Sequence, residues 1–162
     1  MRVLAAVGEG DIEGAEREAR NWADWAGAIG ARRSAAQALS ELAHLLRSAG
    51  DLAEAKERYR DAIVLWQEVG QLPAVAHVIE CLAYIATAEG EVAHAATLIG
   101  AAAEARRGLD SPIKDPKELA EMADAMDRLA ASMGAQDRDT AIAAGERLNV
   151  DDAVEPARGR GK

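Results

Sequence analysis

The feature that most constrains this chain is a repeat. Gly10-Asp11-Ile12, Gly50-Asp51-Leu52 and Gly90-Glu91-Val92 stand forty residues apart, and five residues after each Gly comes Ala15, Ala55 or Ala95. Midway between them lie Gly30 and Gly70, with Asp110 in the same register, each preceded by an apolar residue (Ile29, Val69, Leu109). A fixed period of this size marks stacked units that cannot bury their apolar faces alone. Glycine takes the left-handed conformation that ends one helix, and Asp caps the next. Turns this short force neighbouring helices antiparallel. The unit therefore reads as helix, Gly-Asp turn, helix, Gly turn. Helices are expected near 11–28, 31–48, 51–69, 73–89 and 91–107. A half-helix near 2–8 is too short to hold alone and looks like the end of a repeat whose beginning is missing.

Inside the units, apolar and small residues fall on helical spacing. Leu39, Leu42, Ala43 and Leu46 form one stripe, and Ala55, Tyr59 and Ala62 form the stripe facing it. The next unit repeats this with Ile79, Leu82, Ala83 and Ala86, then Ala95, Ile99 and Ala102. This spacing resembles the tetratricopeptide repeat, in which the small residues let two helices touch. The usual repeat of that family is shorter than the forty residues seen here, so longer helices are implied. The fold expected is an all-α helix-hairpin solenoid over 1–109, its first repeat incomplete, with a helical cap over 110–155 and a disordered tail over 156–162.

The cap has its own signals. Asp115-Pro116-Lys117-Glu118 is a capping box with Pro at the first helical position. The helix it opens carries Leu119, Met122, Met126, Leu129 and Met133 at helical steps, and it ends at Gly134. That stripe reads as core, covering the apolar end of the last repeat. A further helix runs to about Arg147, and Asn149-Val150-Asp151-Asp152 opens a short last one. The run Ala95-Ala96-Thr97-Leu98-Ile99-Gly100-Ala101-Ala102-Ala103-Glu104-Ala105 resembles the stretch that ends the repeat region of MalT-like and AfsR-like bacterial ATPase regulators, which often carry LuxR-type DNA-binding domains. Pro112 and Pro116, Gly134 and Gly145, and the run from Asn149 to Val154 match further parts of that family. The resemblance spans 31–155 and is strongest from 83 onward. Arg138 and Ile142 stand where the family often has aromatic residues. The chain has no phosphate-binding loop and no basic helix-turn-helix. The resemblance therefore implies only the repeat domain's role, sensing an inducer or contacting a partner. The alternative is a stand-alone scaffold that assembles other proteins.

Composition narrows the classes. The net charge of −9 opposes a phosphate backbone, so no direct nucleic-acid contact is expected. No apolar run approaches a membrane span, and the apolar start of the chain is broken too early, at Gly8, to be a secretory signal. The single cysteine, Cys81, allows no internal disulfide and fits a reducing cytoplasm. Gly8, Gly10 and Gly14 lack the spacing and preceding strand of a dinucleotide site.

No enzyme, cofactor or metal is expected. No serine sits on a nucleophile elbow. His77, Glu80 and Cys81 share one side of a helix but lack a fourth donor, and His44 and His94 find no partner in sequence. The candidate site is instead a groove. In tetratricopeptide repeats the first helix of each pair lines the concave face. The resemblance thus implies Gln37, Ser40, His44 and Arg47 in one unit, and His77, Glu80, Tyr84 and Thr87 in the next. Such a mix of donors, acceptors and rings suits a peptide or a small-molecule inducer. Trp22 and Trp25, near the end of the first full helix, add the expectation of a homodimer through the N-terminal edge.

Overall fold

The computed structural model describes residues 12–154, with side chains over 13–153. Eight helices run through them: α1 (Ile12–Ala28), α2 (Arg32–Ala49), α3 (Leu52–Glu68), α4 (Leu72–Ala88), α5 (Val92–Gly108), α6 (Pro116–Ser132), α7 (Ala135–Gly145) and α8 (Val150–Val154). No strand occurs among the described residues. The fold is all-α, with helices packed in consecutive pairs. The expected boundaries agree to within one or two residues. The half-helix at 2–8 and the tail at 156–162 lie outside the described residues.

The helix ends follow the glycine spacing. Gly30, Gly50, Gly70 and Gly90 have φ of 69°, 90°, 68° and 79°, and Asp110 has φ of 48°. At each end the same two bonds recur. The Gly50 amide donates to the Arg47 carbonyl at 3.2 Å, and the Asp51 amide donates to the Leu46 carbonyl at 2.9 Å. The pairs at 30/31, 70/71, 90/91 and 110/111 repeat this arrangement. It satisfies carbonyls that the last turn would otherwise strand.

The helix starts are less uniform. The Asp51 carboxylate accepts the Glu54 amide at 3.1 Å, whereas Glu91, in the same register, makes no such bond. The extra methylene of Glu makes it the poorer cap. Asp115 accepts the amides of Lys117 and Glu118 at 2.7 and 3.4 Å, with Pro116 opening α6 as expected. Asn149 accepts the Asp152 amide at 2.9 Å, and its amide nitrogen donates to the Asp152 carboxylate at 2.7 Å.

The chain divides into two compact units, Met1–Val78 and Ile79–Lys162, at a point inside α4. In the first unit α2 packs against both α1 and α3. Leu42 and Leu46 of α2 and Tyr59 and Ile63 of α3 are buried, and Ala15, Ala55 and Ala62 have no exposed surface. Each large apolar side chain so buried stabilises the fold by about 1.5–3 kcal/mol. Arg20 of α1 forks onto Glu54 of α3. That hydrogen-bonded pair holds the Glu54 carboxyl below its ordinary pKa.

In the second unit α7 and the short α8 lie on α5. The α5–α7 crossing is a contact of backbones. A Cβ on Gly100 would stand 2.0 Å from the Ile142 carbonyl oxygen, and one on Gly145 would stand 1.9 Å from the Thr97 carbonyl oxygen. Neither position admits any other residue without separating the helices. The α6 stripe expected as core is so only in part. Leu129 is buried and Met122, Met126 and Met133 are half-buried, but Leu119 remains 49% exposed.

Candidate functional site

The eight residues expected to line one groove separate into two environments. Gln37, Ser40, His44 and Arg47 recur along one side of α2, and His77 lies on α4. Gln37 is exposed and the other four are half-buried. Glu80, Tyr84 and Thr87 are buried, so the sequence-based placement of these three on an open surface is corrected. The reason is long-range. An i, i+4, i+7 row records which side of a helix a residue takes, not whether another segment covers that side.

In the first unit the α2 row is held from α3. The Trp66 indole N–H donates to the Ser40 hydroxyl at 3.1 Å, and that hydroxyl donates to the Ala36 carbonyl at 2.9 Å. The Tyr59 hydroxyl shares a hydrogen bond of 2.7 Å with His44 Nδ1, the two rings meeting edge to face at 5.4 Å. The His77 ring stands 5.6 Å from the His44 ring, tilted by 49°. These bonds remove rotamer freedom from Ser40 and His44, so a ligand meeting them orders less side chain on arrival. On another part of this unit, an open cleft of about 500 Å³ is lined by Ala23, Gly27, Leu39, Asp61 and Val64 among others. Trp25 near the end of α1 and Ile29 in the turn that follows it are 58% and 57% exposed, while Trp22 is half-buried.

In the second unit the buried polar residues are structural. Arg106 of α5 donates to both Glu80 oxygens, 2.7 Å for the Nη2 bond, and its Nη1 donates to the Ser111 carbonyl at 3.1 Å. Glu118 of α6 lies 3.9 Å from the same guanidinium. The Glu80 hydrogen bond raises the Arg106 pKa, so the cation persists despite burial. Burial, with nearby Glu80 second, pushes the Tyr84 phenol well above its ordinary range. The Thr87 hydroxyl donates to the Ala83 carbonyl at 2.8 Å. An open cleft of about 660 Å³ lies beside the start of α5, lined by Val92, His94, Thr97, Leu148 and Asp152 among others.

The sequence reading missed two relationships. His44 and His77 are adjacent, though 33 residues separate them in the chain. Arg106, which was not singled out, anchors Glu80 from 26 residues away. Glu80, the sole charge in the otherwise apolar α4, was the sequence signal for the second, and none existed for the first. No helix among the described residues is long and apolar enough to cross a membrane. No family model matches this chain, and no curated protein or solved structure matches it.

Proposed function

We propose that this chain is a helical-repeat binding domain that senses an inducer or contacts a protein partner, as in the bacterial transcriptional regulators its sequence resembles, and that it performs no catalysis itself. The observation that carries this reading is the α2 row, Gln37, Ser40, His44 and Arg47, with the His77 ring beside it. These groups are at least partly open to solvent, and two of them are already held by Trp66 and Tyr59. Evenly spaced left-handed helix ends at 30, 50, 70, 90 and 110 support the repeat reading. The docking surface proposed is accordingly the α2 row and His77. Glu80, Tyr84 and Thr87 leave the contact set because they are buried. The exposed pair Trp25 and Ile29 supports a self-association edge, readable as concentration-dependent sedimentation.

The test is affinity capture on the immobilised chain, followed by titration of the captured partner or metabolite. Gln37→Ala and Arg47→Ala each weaken binding by about tenfold or more, which corresponds to ~1.4 kcal/mol. Glu57→Gln, at an exposed position on α3, leaves binding unchanged. Equal binding by folded Gln37 and Arg47 variants refutes this surface as the site.

A further inference from the structure

We infer that His44 and His77 together form a binding site for a divalent transition-metal ion. The two imidazoles come from different helices, α2 and α4, and their rings stand 5.6 Å apart. Their ligand atoms lie within 4.8 Å of each other. Zinc binds imidazole nitrogen at about 2.0–2.1 Å, which at a tetrahedral angle sets two ring centroids roughly 5 Å apart. A small side-chain rotation therefore brings both rings onto one ion.

The second feature is the bond behind His44. Its Nδ1 is engaged by the Tyr59 hydroxyl at 2.7 Å. When Nδ1–H donates to the phenol oxygen, the ring lone pair sits on Nε2, the tautomer that a ligating histidine needs. Tyr59 is fully buried, so the phenol is a fixed orienting group rather than a floating one. Both histidines are half-buried, which leaves solvent a route to the rings. The net charge of −9 favours a cation over an anion as the ligand. Imidazole donors suit zinc, copper and nickel rather than calcium or magnesium, which take oxygen. Two protein donors leave further coordination positions for water or for a donor brought by a bound partner.

The test uses Zn²⁺ alone with the full chain under reducing conditions. Calorimetric titration gives one equivalent bound, and the melting temperature rises with Zn²⁺. His44→Ala and His77→Ala each weaken that uptake by at least about tenfold, and Tyr59→Phe, which keeps the ring but loses the orienting oxygen, weakens it by about tenfold. His94→Ala leaves it unchanged, since His94 belongs to the cleft beside α5. Should the alanine variants unfold, long-range ¹⁵N spectra of the wild-type imidazoles answer the same question. Zn²⁺ then shifts two of the three histidine rings and spares the third. Absence of binding, weak uptake at several equivalents, or one-equivalent binding that survives His44→Ala overturns the site.

Discussion

At the scale of the residue, the left-handed helix end is the recurring device, and one position departs from it. Gly30, Gly50, Gly70 and Gly90 occupy positive φ without a side chain to clash, whereas Asp110 holds φ of 48° with one. An L-residue pays about 1–2 kcal/mol in this region, less for Asp because its short carboxylate can bond locally. Asp110 is exposed, and its amide makes the terminating bond to Arg107 at 3.2 Å, a bond that glycine would keep. Asp110→Gly is therefore expected to stabilise the protein by about 0.5–1 kcal/mol, since the relief of strain exceeds the added flexibility of the unfolded chain. Denaturant midpoints measure this. The reverse change at an equivalent site, Gly50→Ala, shifts the midpoint down, because φ of 90° excludes a Cβ more strongly.

At the scale of the element, the α5–α7 crossing differs from the others. Ala55 and Ala95, the small residues of the repeat's second helix, are both fully buried. At Gly100 and Gly145 even alanine is too large, because the obstruction is backbone carbonyl and cannot rotate away. Gly100→Ala and Gly145→Ala should each destabilise the protein by about 1–3 kcal/mol or more through overpacking. Gly134→Ala is the control. A Cβ there meets only the Asp137 carboxylate at 3.7 Å, an ordinary contact, so its thermal midpoint stays near that of the parent. A Gly100→Ala protein that melts like Gly134→Ala refutes the crossing. Ile142 contributes its carbonyl to this contact. The approach of the two helices therefore rests on the glycines and not on a large anchor.

At the scale of the molecule, each unit has ion pairs joining segments distant in sequence, and their burial decides their weight. In the first unit Arg32 pairs with Glu68, but both side chains are largely open, 61% and 41% exposed. Such a pair contributes less than about 1 kcal/mol and is screened by salt. In the second, Arg106 and Glu80 are 12% and 2% exposed, and the same guanidinium ties in the loop at Ser111. Removing one partner leaves the other charge buried, which costs about 3–5 kcal/mol. Glu80→Gln is thus expected to lower stability far more than Arg32→Ala, by urea unfolding at neutral pH. Comparable losses for the two variants contradict the buried pairing. Glu80, through Arg106, thus ties α4, α5 and the loop leading to α6 together.

Helix ends and caps were legible in the sequence because they are local. The bonds that stop α2 at Gly50 and start α6 at Asp115 span five residues or fewer. Their chemistry is carried by residue types that do little else so well, Gly at positive φ and Asp or Asn at a cap. The all-α fold, the helix boundaries and the twenty-residue rhythm of helix ends from 30 to 110 followed from that alone. Exposure and proximity were a different matter. Gln37 and His77, placed in the sequence as equivalents, both remain within reach of solvent. His44 and Tyr84 were equivalents too, yet His44 is half-buried and Tyr84 is buried. Periodicity is a property of one helix, whereas burial depends on what lies across from it. The same holds for the His44–His77 pair and the Gly100–Gly145 contact, each of which needs two helices at a particular offset. That offset is set by side-chain packing summed over whole helix faces, and only the folded chain decides it.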